Sequence, residues 1–185
     1  MKNTIKKIHY LSWFLLLSIL TFSCKKDETD DPAPVNPGEL ITTVKLIFTD
    51  TLGGSIDTVG FYDADGPGGN NPLIDSILLQ SGVPYQLRLL LLDESRNPPL
   101  NISDEIEEEG DTHLFNFSST LLNTTILDTD INGSPVGILN LVEATGSGTG
   151  TWRVQLRHYD SPSLKSSNSS SYETDVEIEF GVRVD

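Results

Sequence analysis

Asp175-Val176-Glu177-Ile178-Glu179-Phe180-Gly181-Val182-Arg183-Val184 is the stretch that decides the fold class. Val176, Ile178, Phe180, Val182 and Val184 take every second position, and charged side chains fill most of the places between. Successive side chains of a strand point to opposite faces, so this is a ribbon with one apolar face and one wet face. One-sided strands of this kind belong to antiparallel sheets that are solvated on one side. The same period continues upstream. Trp152, Val154 and Leu156 alternate with Arg153, Gln155 and Arg157, and Val44, Leu46 and Phe48 alternate with Lys45 and Thr49. About nine strands are expected, near 40–50, 56–63, 73–79, 84–93, 112–118, 122–130, 136–143, 150–159 and 174–184. Turn formers such as Gly53-Gly54, Gly66 to Pro72, Ser81-Gly82 and Gly146 to Gly150 separate them.

Many short strands with frequent turns predict a sandwich or a barrel. Leu79-Gln80-Ser81-Gly82-Val83-Pro84-Tyr85 spells L-x-x-G-x-x-Y and resembles the tyrosine corner of immunoglobulin-like domains. That resemblance implies an all-β, immunoglobulin-like antiparallel β-sandwich in which Tyr85 is architectural, its hydroxyl bonded to the backbone upstream. The sandwich is expected to span residues 39–185.

Upstream, Lys2, Lys6 and Lys7 precede a mostly apolar run from Ile8 to Phe22 and then Ser23, which reads as a secretory signal peptide over 1–23. The run is shorter than the roughly 20 residues that span a bilayer. It ends at Cys24, the single cysteine, and there resembles a bacterial lipoprotein signal in which that cysteine is acylated. Thr21-Phe22-Ser23-Cys24 lacks the Leu usual three places before the Cys, a looser box familiar in Bacteroidota lipoproteins. Residues 24–38 combine charges with Pro32, Pro34 and Pro37 and read as a disordered tether. Lys25-Lys26-Asp27-Glu28 resembles the export signal that carries such lipoproteins to the outer face of the outer membrane. The resemblance implies a lipid-anchored, surface-exposed protein, with the periplasmic face as the alternative.

The chain carries a net charge of −15, and residues 39–185 hold 23 acidic against seven basic residues. Nucleic-acid binding needs the opposite balance. Membrane attachment is therefore expected through lipid on Cys24, and partners among cations, proteins or glycans.

If successive strands alternate in direction, the second, fourth, sixth and eighth connections share one pole. They bring Asp63 and Asp65, the run Asp104 to His113 with Glu109, the segment Asp128-Thr129-Asp130-Ile131-Asn132-Gly133, and His158. By parity His113 shares a face with Phe115 and Phe117, and His158 one with Trp152, Val154 and Leu156, so both imidazoles sit on core-facing positions at strand ends. Two His and a carboxylate are a ligand set for Zn2+. Asp128-x-Asp130-x-Asn132-Gly133 matches the first six positions of a Ca2+ loop, with oxygens at alternate places and Gly at the sharp turn, but Leu139 stands where the bidentate Glu belongs. The same Asn-Gly also spells a two-residue type I′ hairpin turn. The candidate metal set is thus Asp63, Asp65, Glu109, His113, Asp128, Asp130, Asn132 and His158, for Ca2+ or alternatively Zn2+.

No G-x-S-x-G, phosphate loop or dinucleotide fingerprint is present, and no catalytic residue is assigned. Glu107 to Phe115, Asp128-Thr129-Asp130 with Asn132 to Gly137, and Leu156-Arg157-His158 resemble a group of Bacteroidota exported lipoproteins of unknown function, some labelled as periplasmic-binding folds. That label implies alternating strands and helices over a far longer chain, which this sequence lacks. The expected function is a non-catalytic binding or adhesion module. A structural or accessory subunit of an envelope complex is the alternative, and a carboxylate-dependent glycan hydrolase comes third.

Overall fold

The structure, a computed structural model, describes residues 39–185. The signal segment, Cys24 and the tether lie outside the described residues. Among the described residues no helix is long and apolar enough to cross a membrane.

Eleven strands and two short helices make up the domain. The strands are β1 (Thr43–Asp50), β2 (Ile56–Tyr62), β3 (Leu73–Ile74), β4 (Ile77–Leu79), β5 (Pro84–Asp93), β6 (Leu100–Asn101), β7 (His113–Ser119), β8 (Leu122–Ile126), β9 (Leu139–Ala144), β10 (Gly148–His158) and β11 (Glu173–Val184). Helix α1 is Ile102–Glu108, and α2 is Pro162–Ser166. One sheet runs β3-β2-β1-β5-β9-β8, with β6 added at the end of β5, and the other runs β4-β11-β10-β7. The alternating residues of β1 and β10 meet across the interface: the Phe48 and Trp152 rings lie 6.2 Å apart. Trp152 also stacks on Phe117 at 5.4 Å. Each such ring buries a large apolar area, so the two sheets are fastened chiefly by dispersion and the hydrophobic effect at this seam. The all-β sandwich read from the alternation is what the chain forms.

Tyr85 performs its architectural part. Its ring meets Phe48 edge-on at 6.2 Å, and its hydroxyl accepts a hydrogen bond from the Gln80 N–H at 3.1 Å.

Three features depart from the expectation of nine regular strands. The predicted strand at 73–79 breaks at Asp75-Ser76, so β3 joins one sheet and β4 the other. Asp75 makes the break useful, because its carboxylate accepts the Gly60 N–H at 2.8 Å. Secondly, β4 pairs with β11 in parallel, Ile77 opposite Val182 and Leu79 opposite Val184. Directional alternation itself accounts for this, since two strands at odd places in the expected sequence of nine run the same way. Thirdly, part of the acidic connection is helical. Ile102 and Ile106, one turn apart, both bury into the core. Asn101 caps α1 by accepting the Ser103 N–H, and the Ser103 hydroxyl accepts the Leu91 N–H, which fastens the helix to β5.

The shared pole exists in the contacts. Thr43 at the start of β1 lies opposite Tyr62 at the end of β2 and Leu92 near the end of β5. On the other sheet His113 opens β7 directly opposite His158 at the end of β10.

Candidate functional site

His113 is the centre of the pole. It is fully buried, at 0% exposure, on the core face of β7 where parity put it. Helix α1 ends just before it, leaving carbonyls with no partner inside the helix. The Glu109 carbonyl accepts from the Thr112 N–H at 3.0 Å, from the Thr112 hydroxyl at 3.1 Å, and from His113 Nδ1 at 3.0 Å. A carbonyl can only accept, so Nδ1 carries the proton and Nε2 presents a lone pair.

That lone pair faces carboxylates. Nε2 lies 3.6 Å from Glu39 Oε1 and 3.8 Å from Asp175 Oδ2. His158 Nδ1 lies 3.9 Å from Asp175 Oδ1, and the two imidazole centroids are 4.4 Å apart. One donor atom from each of His113, His158 and Asp175 falls within 4.8 Å of the others, as does one from each of Glu39, Glu109 and His113. Glu39 Oε2, His113 Nε2 and Asp175 Oδ2 are all buried without a hydrogen-bond partner among the described residues.

Electrostatics follow burial. Glu39 is pushed up to about 7 by burial, with the charges of Asp175, Glu105 and Glu109 adding to it. Asp175 is pushed up to about 6 by burial, helped by Glu173 and opposed by His158. Burial holds the His113 imidazole below its ordinary value. The pole therefore disfavours charge on either kind of group, and a cation between them would offset this for the carboxylates alone.

The pole gathers some of the expected residues and not others. His113 converges with His158 and Asp175 in one group and with Glu109 and Glu39 in another, and neither Asp175 nor Glu39 was expected. The pairing of β10 with β11 slips between Leu156 opposite Val176 and Arg157 opposite Thr174, leaving Asp175 as the extra residue of a β-bulge. Plain alternation would put Asp175 on the wet face with Glu177 and Glu179, and the bulge turns it inward. Asp63, Asp65, Asp128, Asp130 and Asn132 belong to no such convergence of donors among the described residues.

Asp128, Asp130 and Asn132 have other engagements. The Asp128 carboxylate accepts the N–H groups of Gly137 at 2.8 Å and Ile138 at 2.9 Å. Asp130 accepts the Asn132 and Ser134 N–H groups and pairs at 2.7 Å with the buried ammonium of Lys165, which also donates to the Gly110 carbonyl. Burial alone would raise the Asp130 carboxyl, but Lys165 and the two amides hold it below the usual range. Where the calcium reading places a metal ion, Asp130 meets a lysine. Asn132 is exposed, and its φ is not positive, so the turn is not type I′. Asp130 N–H donates to the Ser134 carbonyl and Gly133, at φ +80°, supplies the left-handed residue, a three-residue loop closing the β8–β9 hairpin. Asp65 is exposed and accepts from Asn70, while Asp63 is buried with Oδ1 unpaired among the described residues.

Beside this pole a cleft of about 450 Å³ opens between β7 and β8, the edge strands of the two sheets. Phe117, Ile126 and Pro135 give it apolar walls, and Asn116, Arg157 and Asn168 give it polar ones. The Arg157 guanidinium lies 4.4 Å over the Tyr172 ring, with Nε donating to Gln155 Oε1 at 2.9 Å.

No family model, no curated protein and no solved structure matches this chain.

Proposed function

We propose that the chain is an exported module, anchored in the outer membrane by lipid on Cys24 and exposed at the cell surface, which binds a glycan ligand and performs no catalysis. The observation that carries this reading is the cleft between β7 and β8. Its volume, about 450 Å³, lies within the roughly 300–1,000 Å³ usual for small-ligand sites. Its walls mix apolar carbon with neutral amides, which suits the two faces of a sugar ring. Two cations line it, and Lys165 is committed to Asp130. Arg157 is pre-oriented by Tyr172 and Gln155, and its terminal nitrogens have no protein partner among the described residues. A carboxylate-bearing sugar is the complement, because a planar guanidinium forks onto a carboxylate.

The test is calorimetric titration of the full chain with neutral and with uronate-containing oligosaccharides. Uronate oligomers are expected to bind, and Arg157→Ala to weaken them by at least about tenfold, the loss of one charge-assisted hydrogen bond. No binding of either class, or equal binding by the variant, would remove the cleft from the function. The alternative of an envelope-complex subunit would then lead, since Leu73, Ile74 and Leu78 stand exposed where β3 and β4 edge the two sheets.

A further inference from the structure

We propose that His113, His158 and Asp175 form a three-ligand site for zinc whose fourth position is left to water or a ligand. The site is independent of the ligand cleft. A hydrogen bond between a ring nitrogen and a carboxylate oxygen spans about 2.7–3.2 Å. The separations of Asp175 from the two rings are 3.8 and 3.9 Å, too long for direct bonds. Around a zinc ion with bonds near 2.0–2.2 Å, neighbouring donors of a tetrahedron sit about 3.4 Å apart. One donor from each of His113, His158 and Asp175 lies within 4.8 Å of the others, so an ion between them would draw the donors closer together.

The donor chemistry agrees. Metal-bound histidine commonly gives its other N–H to a carbonyl, which fixes the tautomer and aims the ring. His113 does so with Glu109. Its Nε2 lone pair, 0% exposed and unpartnered, faces Asp175 Oδ2, which is likewise buried without a partner. One cation would answer both atoms. Two imidazoles with a carboxylate suit zinc, whereas calcium takes six to eight oxygens. The supports come from β7, β10 and the bulge in β11, three adjacent strands of one sheet, so a bound ion would tie β7 and β11 to the strand between them.

The experiment uses the full chain stripped with chelator and titrated with zinc alone, followed by calorimetry and thermal unfolding, with cobalt as a spectroscopic substitute. One zinc per chain, a saturable rise in melting temperature and the intense visible bands of tetrahedral cobalt are expected. His158→Gln, at a half-buried position, should weaken zinc by more than the roughly 10–100-fold that losing an outer-shell partner costs, with an unchanged circular dichroism spectrum. Asp175→Asn should do the same, and if it does not fold, His158→Gln decides. Absence of zinc uptake by the folded wild type would overturn the proposal. So would unchanged affinity in His158→Gln, or a calcium shift as large as that of zinc.

Discussion

Lys165 is one of two lysines in residues 39–185, and its side chain is 1% exposed. A buried ammonium is tolerated only when paired, and Asp130 together with the Gly110 carbonyl pairs it. Removing one member strands the other's charge away from water. Lys165→Ala is therefore expected to cost about 3–5 kcal/mol of stability, measured by urea unfolding. Lys165→Met combined with Asp130→Asn removes both charges and should recover most of that loss. A cost below about 1 kcal/mol for the single variant would mean the ion pair is solvated in solution. The sequence pattern Asp-x-Asp-x-Asn-Gly suggested a Ca2+ loop or a hairpin turn, whereas the charge that meets Asp130 is an ammonium. That it is Lys165, 35 residues along the chain from Asp130, is a matter of tertiary placement that no local pattern carries.

At the scale of elements, the loop between β8 and β9 is where backbone freedom is most needed. Gly137 has φ +101°, and a Cβ there would lie 2.7 Å from the Phe115 Cβ. Gly133 also has positive φ, at +80°, but nothing lies within 4 Å of its Cβ position. Gly133→Ala should thus cost about 1–2 kcal/mol from conformation alone. Gly137→Ala adds a clash within the core, another 1–3 kcal/mol or so. Equal losses in denaturant unfolding would show that Phe115 gives way. The strands were readable because their alternation is long: five apolar positions in β11 leave little doubt about its faces. Helix α1 was not, because Ile102 and Ile106 provide a single helical repeat inside an acidic run. The bulge that turns Asp175 inward was equally hidden. It interrupts pairing with β10, whereas the pattern from Val176 onward is unbroken. His113 and His158 were placed correctly by parity, and Glu39, ahead of the first strand, had no parity to read.

Over the whole molecule, the buried acids of the pole set a pH dependence. Glu39 and Asp175 have ordinary values of 4.5 and 3.8 and rise to about 7 and about 6 in the fold. The folded chain keeps these protons where the unfolded chain has released them. Their contribution is therefore complete below about pH 4 and is lost as pH rises through about 6 and about 7. His113 acts oppositely, because an imidazole held low disfavours the fold as pH falls. Comparison with Glu39→Gln cancels that effect, along with the surrounding charges of Glu105, Glu109, Glu173, His158 and Lys165. In chelator, the variant should gain on the wild type between about pH 5 and pH 8 in urea midpoint, and a constant difference would place Glu39 in water. The topology bears on assembly in time as well as in space. β11 lies between β10 and β4, and Ile77 meets Val182 across 105 residues of chain. A polypeptide emerging N-terminal end first presents Ile77 and Leu79 long before their partner appears. Such late, distant pairing makes folding slow and leaves apolar strand exposed in the interval, so the growing chain calls for an escorting chaperone until the final strand arrives.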